Sequence, residues 1–185
     1  MRLYTFQSIE VISQLWTDKV FRPSWDRCVW LCGDEPTRMT FEPPYRWMVE
    51  QYRLRRPRFA NGDPLVWWFT DIDDARKGLI HEPHTALISA DVPSEHVLLH
   101  NADDWYYVLG HTPYPNLVAN EDDLPYEDFD RWWNIYKKPE NRLAIQETWN
   151  HIFHLPKRDR YQQTIHAVTD CIHLEWVEAG KQGIR

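Results

Sequence analysis

Glycine is scarce. Six residues in 185 are about half of the roughly 13 that average usage supplies. Their positions, 33, 62, 78, 110, 180 and 183, make no phosphate-cradling loop. A dinucleotide fingerprint needs three clustered glycines, a P-loop two followed by Lys and Ser/Thr, and a nucleophile elbow one on either side of Ser. None of these patterns occurs, so P-loop nucleotide hydrolysis, glycine-loop dinucleotide binding and serine hydrolysis lose their sequence warrant. Cysteine is also sparse: Cys28, Cys32 and Cys171 are an odd set that fits reduced thiols in a cytoplasm better than a disulfide framework. The longest apolar run is Leu65 to Phe69, far short of the roughly 20 residues that span a bilayer. The opening segment reaches Glu10 before any signal-like apolar stretch forms, so a cytoplasmic protein without a membrane partner is expected. Positive charge is in deficit as well, the net charge being −7, which argues against general nucleic-acid affinity.

What is abundant is aromatic: eleven Trp, nine Tyr and seven Phe. Arg2–Phe6 reads as a strand, and Ser8 as the N-cap of a helix from Ile9 to about Lys19. Ile9, Ile12, Leu15 and Trp16 make its apolar face. The segment 21–36 is ambiguous between a buried strand and an irregular insert. A second helix is predicted from a Thr40 cap to about Arg56, with Pro43 and Pro44 in its first turn and Phe41, Tyr45, Met48, Val49 and Tyr52 on one stripe. Strands are predicted at 65–70, 85–92 and 96–99, then a short helix capped by Asn101 and running to about Leu109. After a loop from Pro113 to Pro125, helices are expected at 126–137 and 140–154, and strands at 162–169 and 171–177. The fold class is α+β, a single domain whose mixed or antiparallel sheet takes strands from both chain ends and packs against several helices.

Nine histidines raise a metal hypothesis, but the pairs His81/His84, His96/His100 and His151/His154, even with Asp71, Asp73 and Asp74 nearby, show no third and fourth ligand at local spacing. Cys28 and Cys32 have only one further thiol to join them. No metal site is expected. Arg46, Arg53, Arg55, Arg56 and Arg58 are the one basic concentration. They form either a phosphate-gripping helix face or a solvated flank pairing with the acidic residues between Glu121 and Asp130. Trp67 and Trp68 point to opposite faces of a strand, so one ring is open to act as a stacking platform unless loops cover it. Asp103 and Trp105 place a carboxylate beside an aromatic at a helix start, where the dipole favours the charged form. Capping alone would account for the same residues.

The segments Arg2–Ser8, Tyr45–Gln51, Pro64–Trp68, Val97–Leu109, Trp149–Phe153 and Gln162–Thr164, in this order, resemble the bacterial domain of unknown function 3841 family over nearly the whole chain. The family pattern has Asp where this chain has Asn101, His where it has Tyr106 and Asp where it has His154, while Asp103 and Trp105 match. A looser likeness extends to small ADP-ribosyltransferase-like domains, which open with a Leu-Tyr-Thr type of strand and an aromatic second strand. That likeness implies NAD as cofactor, Tyr4 and Thr5 at the ribose, Trp67 or Trp68 with Thr70 at the nicotinamide, and Asp103 or Glu175 stabilising the oxocarbenium-like transition state. Arg46, Trp47 and Trp105 complete the expected binding set. The alternative is a noncatalytic module that uses an aromatic cleft and the Arg-rich helix for a nucleotide, RNA or protein partner.

Overall fold

The computed structural model describes residues 1–28, 34–59, 63–79, 84–115, 117, 125–155 and 164–177. Its centre is a five-stranded sheet in the order β4-β1-β3-β6-β5, built from β1 (Arg2–Ser8), β3 (Val66–Phe69), β4 (Thr85–Asp91), β5 (Leu98–Asn101) and β6 (Ile165–Thr169). Every pairing is antiparallel. Strands from both ends of the chain meet at β3, which lies between β1 and β6, as the α+β reading expects. A second, two-stranded sheet joins β2 (Val20–Phe21) to β7 (Ile172–His173).

Alternation along the strands sorts side chains onto two faces. Leu3, Val66, Trp68 and Ala167 face one apolar cluster, closed by Leu15 of α1 (Ile9–Asp18) and by the small sheet. Trp67, Val168 and Leu98 face the other, shared with α2 (Glu35–Arg55), α4 (Trp105–Leu109), α5 (Phe129–Tyr136) and α6 (Pro139–Trp149). The remaining helix, α3 (Ile72–Leu79), packs on β1 and β4. Among the described residues no helix is long and apolar enough to cross a membrane.

Local chemistry explains the boundaries. Ser8 caps α1 by accepting the Val11 N–H at 3.4 Å, and Lys19, at φ 64°, ends the helix. Only Leu15 of the expected α1 stripe is buried; Ile9 and Trp16 are exposed. α2 differs most from expectation. It starts at Glu35, where Asp34 accepts the Thr37 N–H at 3.0 Å, and Pro43 and Pro44 lie in its interior. Pro44 has no N–H to give the Thr40 carbonyl four residues back; the buried ring of His111 engages that backbone group instead. α3 replaces the metal role considered for Asp71, Asp73 and Asp74. The Asp71 carboxylate accepts the N–H groups of Asp73 and Asp74 at 2.8 and 3.1 Å, capping the helix, and Asp73 and Asp74 pair one turn on with Arg76 and Lys77.

The expected strand at 96–99 is a 3-10 turn over Ser94–His96 followed by β5, because Pro93 breaks the ladder. The last expected strand shortens to β7 plus the turn Leu174–Trp176. Asn101 forms a turn, accepting from the N–H groups of Asp103 and Asp104 at 2.9 and 3.2 Å, and α4 begins after it. Gly110, just past α4, leaves no room for a side chain: a Cβ there would collide with the Phe129 ring. Gly110→Ala is expected to destabilise by about 1–3 kcal/mol through that overpacking, measurable as a lowered urea midpoint at constant slope. Unchanged stability would show that the Phe129 ring swings away freely.

Candidate functional site

The β1–β3 ladder holds at a single pair, Tyr4 with Phe69. Antiparallel continuation would set Phe6 against Trp67 and Ser8 against Leu65, yet the strands part there, while β1 stays paired to β4 over its full length. Backbone donors and acceptors on the parted edges therefore lack ladder partners. A cleft of about 420 Å³ opens between them, within the roughly 300–1,000 Å³ usual for small-molecule sites.

Both strand edges and the segment after β2 line it. Its aromatic walls are Phe6, Phe21, Tyr45, Trp67 and Phe69; its neutral polar groups include Thr5, Gln7, Ser8 and Ser24. Arg27 is the one charged residue among the described lining. The rings are held from behind: Tyr45 meets Trp67 edge-on at 5.5 Å, Trp105 lies 4.9 Å behind Trp67, and Phe6 meets Phe69 at 6.0 Å. Gln7 donates to Thr5 Oγ1 at 2.9 Å. Burial pushes the Tyr45 hydroxyl well above its ordinary pKa, so it stays protonated and serves as a hydrogen-bonding group.

Of the residues singled out from the sequence, Thr5 and Trp67 line this cleft and Trp105 supports it. Tyr4 shares the Phe6 and Phe69 side of β1 without lining the cavity. Trp68 is on the other face, 1 % exposed, its indole N–H donating to Thr169 Oγ1 at 2.8 Å. Thr70 is tied to the Ile165 carbonyl at 2.6 Å. Trp47 is core, and Arg46 pairs with Glu42 while its guanidinium covers the Trp25 ring at 4.4 Å.

Asp103 accepts the Thr164 N–H at 3.2 Å and lies close enough to His166 to influence its charge; the His166 ring in turn packs on Phe69 at 4.7 Å. The carboxylate is thus one ring removed from the cleft lining. Glu175 sits in the turn after β7, beside His173 and away from the cleft. The Arg-rich helix is largely committed to structure: Arg55 reaches Asn150 at 3.0 Å and stacks on Phe153 at 4.2 Å, and Arg56 donates twice to the Val97 carbonyl. Among the histidine and cysteine pairs, His81 and Cys32 fall outside the described residues. His96 and His100 point to separate surroundings, and His151 meets His154 edge-on at 5.1 Å with Tyr114 stacked on His151 at 3.8 Å.

Sequence reasoning missed Phe6, Gln7, Ser24, Arg27 and Tyr45. Tyr45 was visible only as part of a helix stripe. Phe6 and Gln7 flank a parting of strands that no local spacing announces, and Ser24 and Arg27 lie in the segment after β2, whose sequence is ambiguous.

No curated protein and no solved structure matches the chain. The profile of a domain of unknown function, DUF3841, matches residues 2–178. With that match running through every strand and helix that shapes the cleft, the chain belongs to the DUF3841 family.

Proposed function

We propose that this domain binds a small nucleotide in the cleft between β1 and β3, in an ADP-ribosyltransferase-like arrangement with NAD as the leading candidate. The observation that carries the reading is the parted sheet. Aromatic faces stand beside unpaired backbone edges, which suits a planar heterocycle with hydrogen-bonding groups on its rim. Arg27 is placed to meet a phosphate, and neutral hydroxyl and amide groups suit a ribose. No glycine loop is needed, because strand side chains do the holding.

Catalysis is the finer part of the proposal. A transferase needs a carboxylate where positive charge develops, and Asp103 is the nearest of the two expected. Because no carboxylate lines the cleft among the described residues, a noncatalytic nucleotide-binding module is the second reading.

Calorimetry with NAD, ADP-ribose and AMP tests both. Binding is expected for at least one, and Trp67→Ala is expected to weaken it about 5- to 150-fold, the range for losing one stacking platform. Nicotinamide release from NAD that Asp103→Asn abolishes without changing Kd would support the transferase arrangement; binding without turnover would support the module. No binding by any of the three at millimolar concentration would refute the nucleotide reading.

A further inference from the structure

The local histidine pairs lack partners in sequence, but the fold supplies them from a distance. His96, in the turn before β5, faces the corner between β6 and β7, where Asp170 and Cys171 sit. Its Nδ1 is 3.3 Å from Asp170 Oδ1. The ligand atoms of His96, Asp170 and Cys171 all lie within 4.8 Å of one another. Cys171 is fully buried, and the His96 and Asp170 side chains are 15 % and 4 % exposed. Phe59 and Trp176 wall the imidazole at 3.8 and 4.8 Å. Tyr52 braces the group by donating from its hydroxyl to the His96 carbonyl at 2.8 Å, with Asp170 Oδ1 at 3.3 Å.

We infer that His96 Nδ1, Asp170 Oδ1 and the Cys171 thiolate form a site for one zinc-class transition-metal ion, none of the three being among the residues that line the nucleotide cleft. Tetrahedral ligands about 2.0–2.3 Å from zinc stand about 3.3–3.7 Å apart, so the His96–Asp170 pair already has the required spacing and the thiol closes on it by a side-chain rotation. One imidazole, one thiolate and one carboxylate are a donor set for zinc or cobalt, not for magnesium or calcium. Three protein ligands leave the fourth position to water. The charge balances: the thiol releases its proton as the ion enters, and the dication is neutralised by thiolate and carboxylate. Arg22 stays on the second carboxylate oxygen, Oδ2, at 2.9 Å, orienting the ligand as outer-shell partners do, with Asp63 facing its remaining charge.

The competing account is a network complete without an ion, in which Arg22, Tyr52, His96 and the thiol satisfy Asp170 among themselves. Cobalt(II) titrated into the chelator-stripped full chain under reducing conditions separates the two. One equivalent is expected to bind, with a near-ultraviolet thiolate-to-cobalt charge-transfer band and the visible bands of a tetrahedral centre. Zinc at about 100 times its Kd is expected to raise the melting temperature by roughly 5–10 °C. Cys171→Ser should remove the charge-transfer band, and His96→Gln should weaken zinc binding at least tenfold. Should Cys171→Ser not fold, the band in the parent chain and the His96→Gln affinity still decide. Absence of one-to-one uptake would overturn the site. So would uptake without a thiolate band that neither substitution alters, which would assign the ion to other histidines such as His151 and the exposed His154.

Discussion

Lowering the pH from 7 to 4 is expected to remove about 6 kcal/mol of stability through two buried histidines alone. His100, on β5, is fully buried among Trp67, Trp105 and His166; its Nδ1 faces the Asn101 carbonyl at 3.3 Å, and its Nε2 has no partner among the described residues. His111, 1 % exposed, is enclosed by Trp133, Tyr136 and Trp149, and its Nε2 likewise has no partner among the described residues. Burial pushes both imidazoles down to about 4. Hydrogen bonding to the Asn101 and Thr40 backbone opposes that shift without reversing it, and the neighbouring His166 adds to it at His100.

In the unfolded chain both rings titrate near the ordinary 6.5. Between about 6.5 and about 4 the unfolded state therefore takes up two protons that the folded state refuses. The stability they leave intact above pH 6.5 drains away as pH falls to about 4, and below that both states are charged and the loss stops. At about 1.36 kcal/mol per unit, each contributes about 3 kcal/mol, which is large against the 5–15 kcal/mol of a typical domain. The Asp104 carboxyl, raised by burial, contributes with the opposite sign. Urea unfolding at pH 7, 5.5 and 4 measures the slope, and His100→Phe and His111→Asn, the latter suited to its φ of 58°, should each remove about half of the drop. A drop of undiminished size in both variants would place the acid transition on the carboxylates instead.

Legibility in the sequence follows how local each cause is. The strand at Arg2–Phe6, the Ser8 cap and the burial of Met48, Val49 and Tyr52 are dictated within a few residues, and the periodicities reveal them. The true start of α2 was hidden because a Pro-Pro pair is a strong local signal for a first turn, whereas its tolerance in the interior depends on His111, far along the chain. α3 went unseen because three aspartates read as ligands before they read as a cap. At the cleft, Trp67 was accessible to strand and stacking arguments, and Thr5 only through the likeness to ADP-ribosyltransferase-like domains. The rest of the lining depends on where β1 and β3 separate, a tertiary property. The same is true of Asp170, whose partner Arg22 lies 148 residues away.

Trp149→Ala is expected to cost about 4–8 kcal/mol and to lower the melting temperature by roughly 10–30 °C. Trp149 closes α6 with no exposed surface, stacked on Tyr136 at 5.5 Å and edge-on to Trp47 at 5.4 Å. Its indole N–H donates to the Thr112 carbonyl at 2.7 Å inside the core. Truncation opens a cavity worth about 3–5 kcal/mol and strands a buried carbonyl at a further 1–3 kcal/mol. Trp149→Phe should fall between, keeping most of the apolar volume and losing the hydrogen bond. Trp16→Ala, at an exposed position on α1, should stay within about 0.5 kcal/mol of the parent, so the contrast is one of position and not of residue type. The effect reaches the cleft, because Trp149 belongs to the same apolar cluster that supports Tyr45, Trp67 and Trp105. Nucleotide affinity measured below the melting point of Trp149→Ala should therefore drop together with stability. A variant within about 1 kcal/mol of the parent would show that α6 is not what holds the aromatic wall in place.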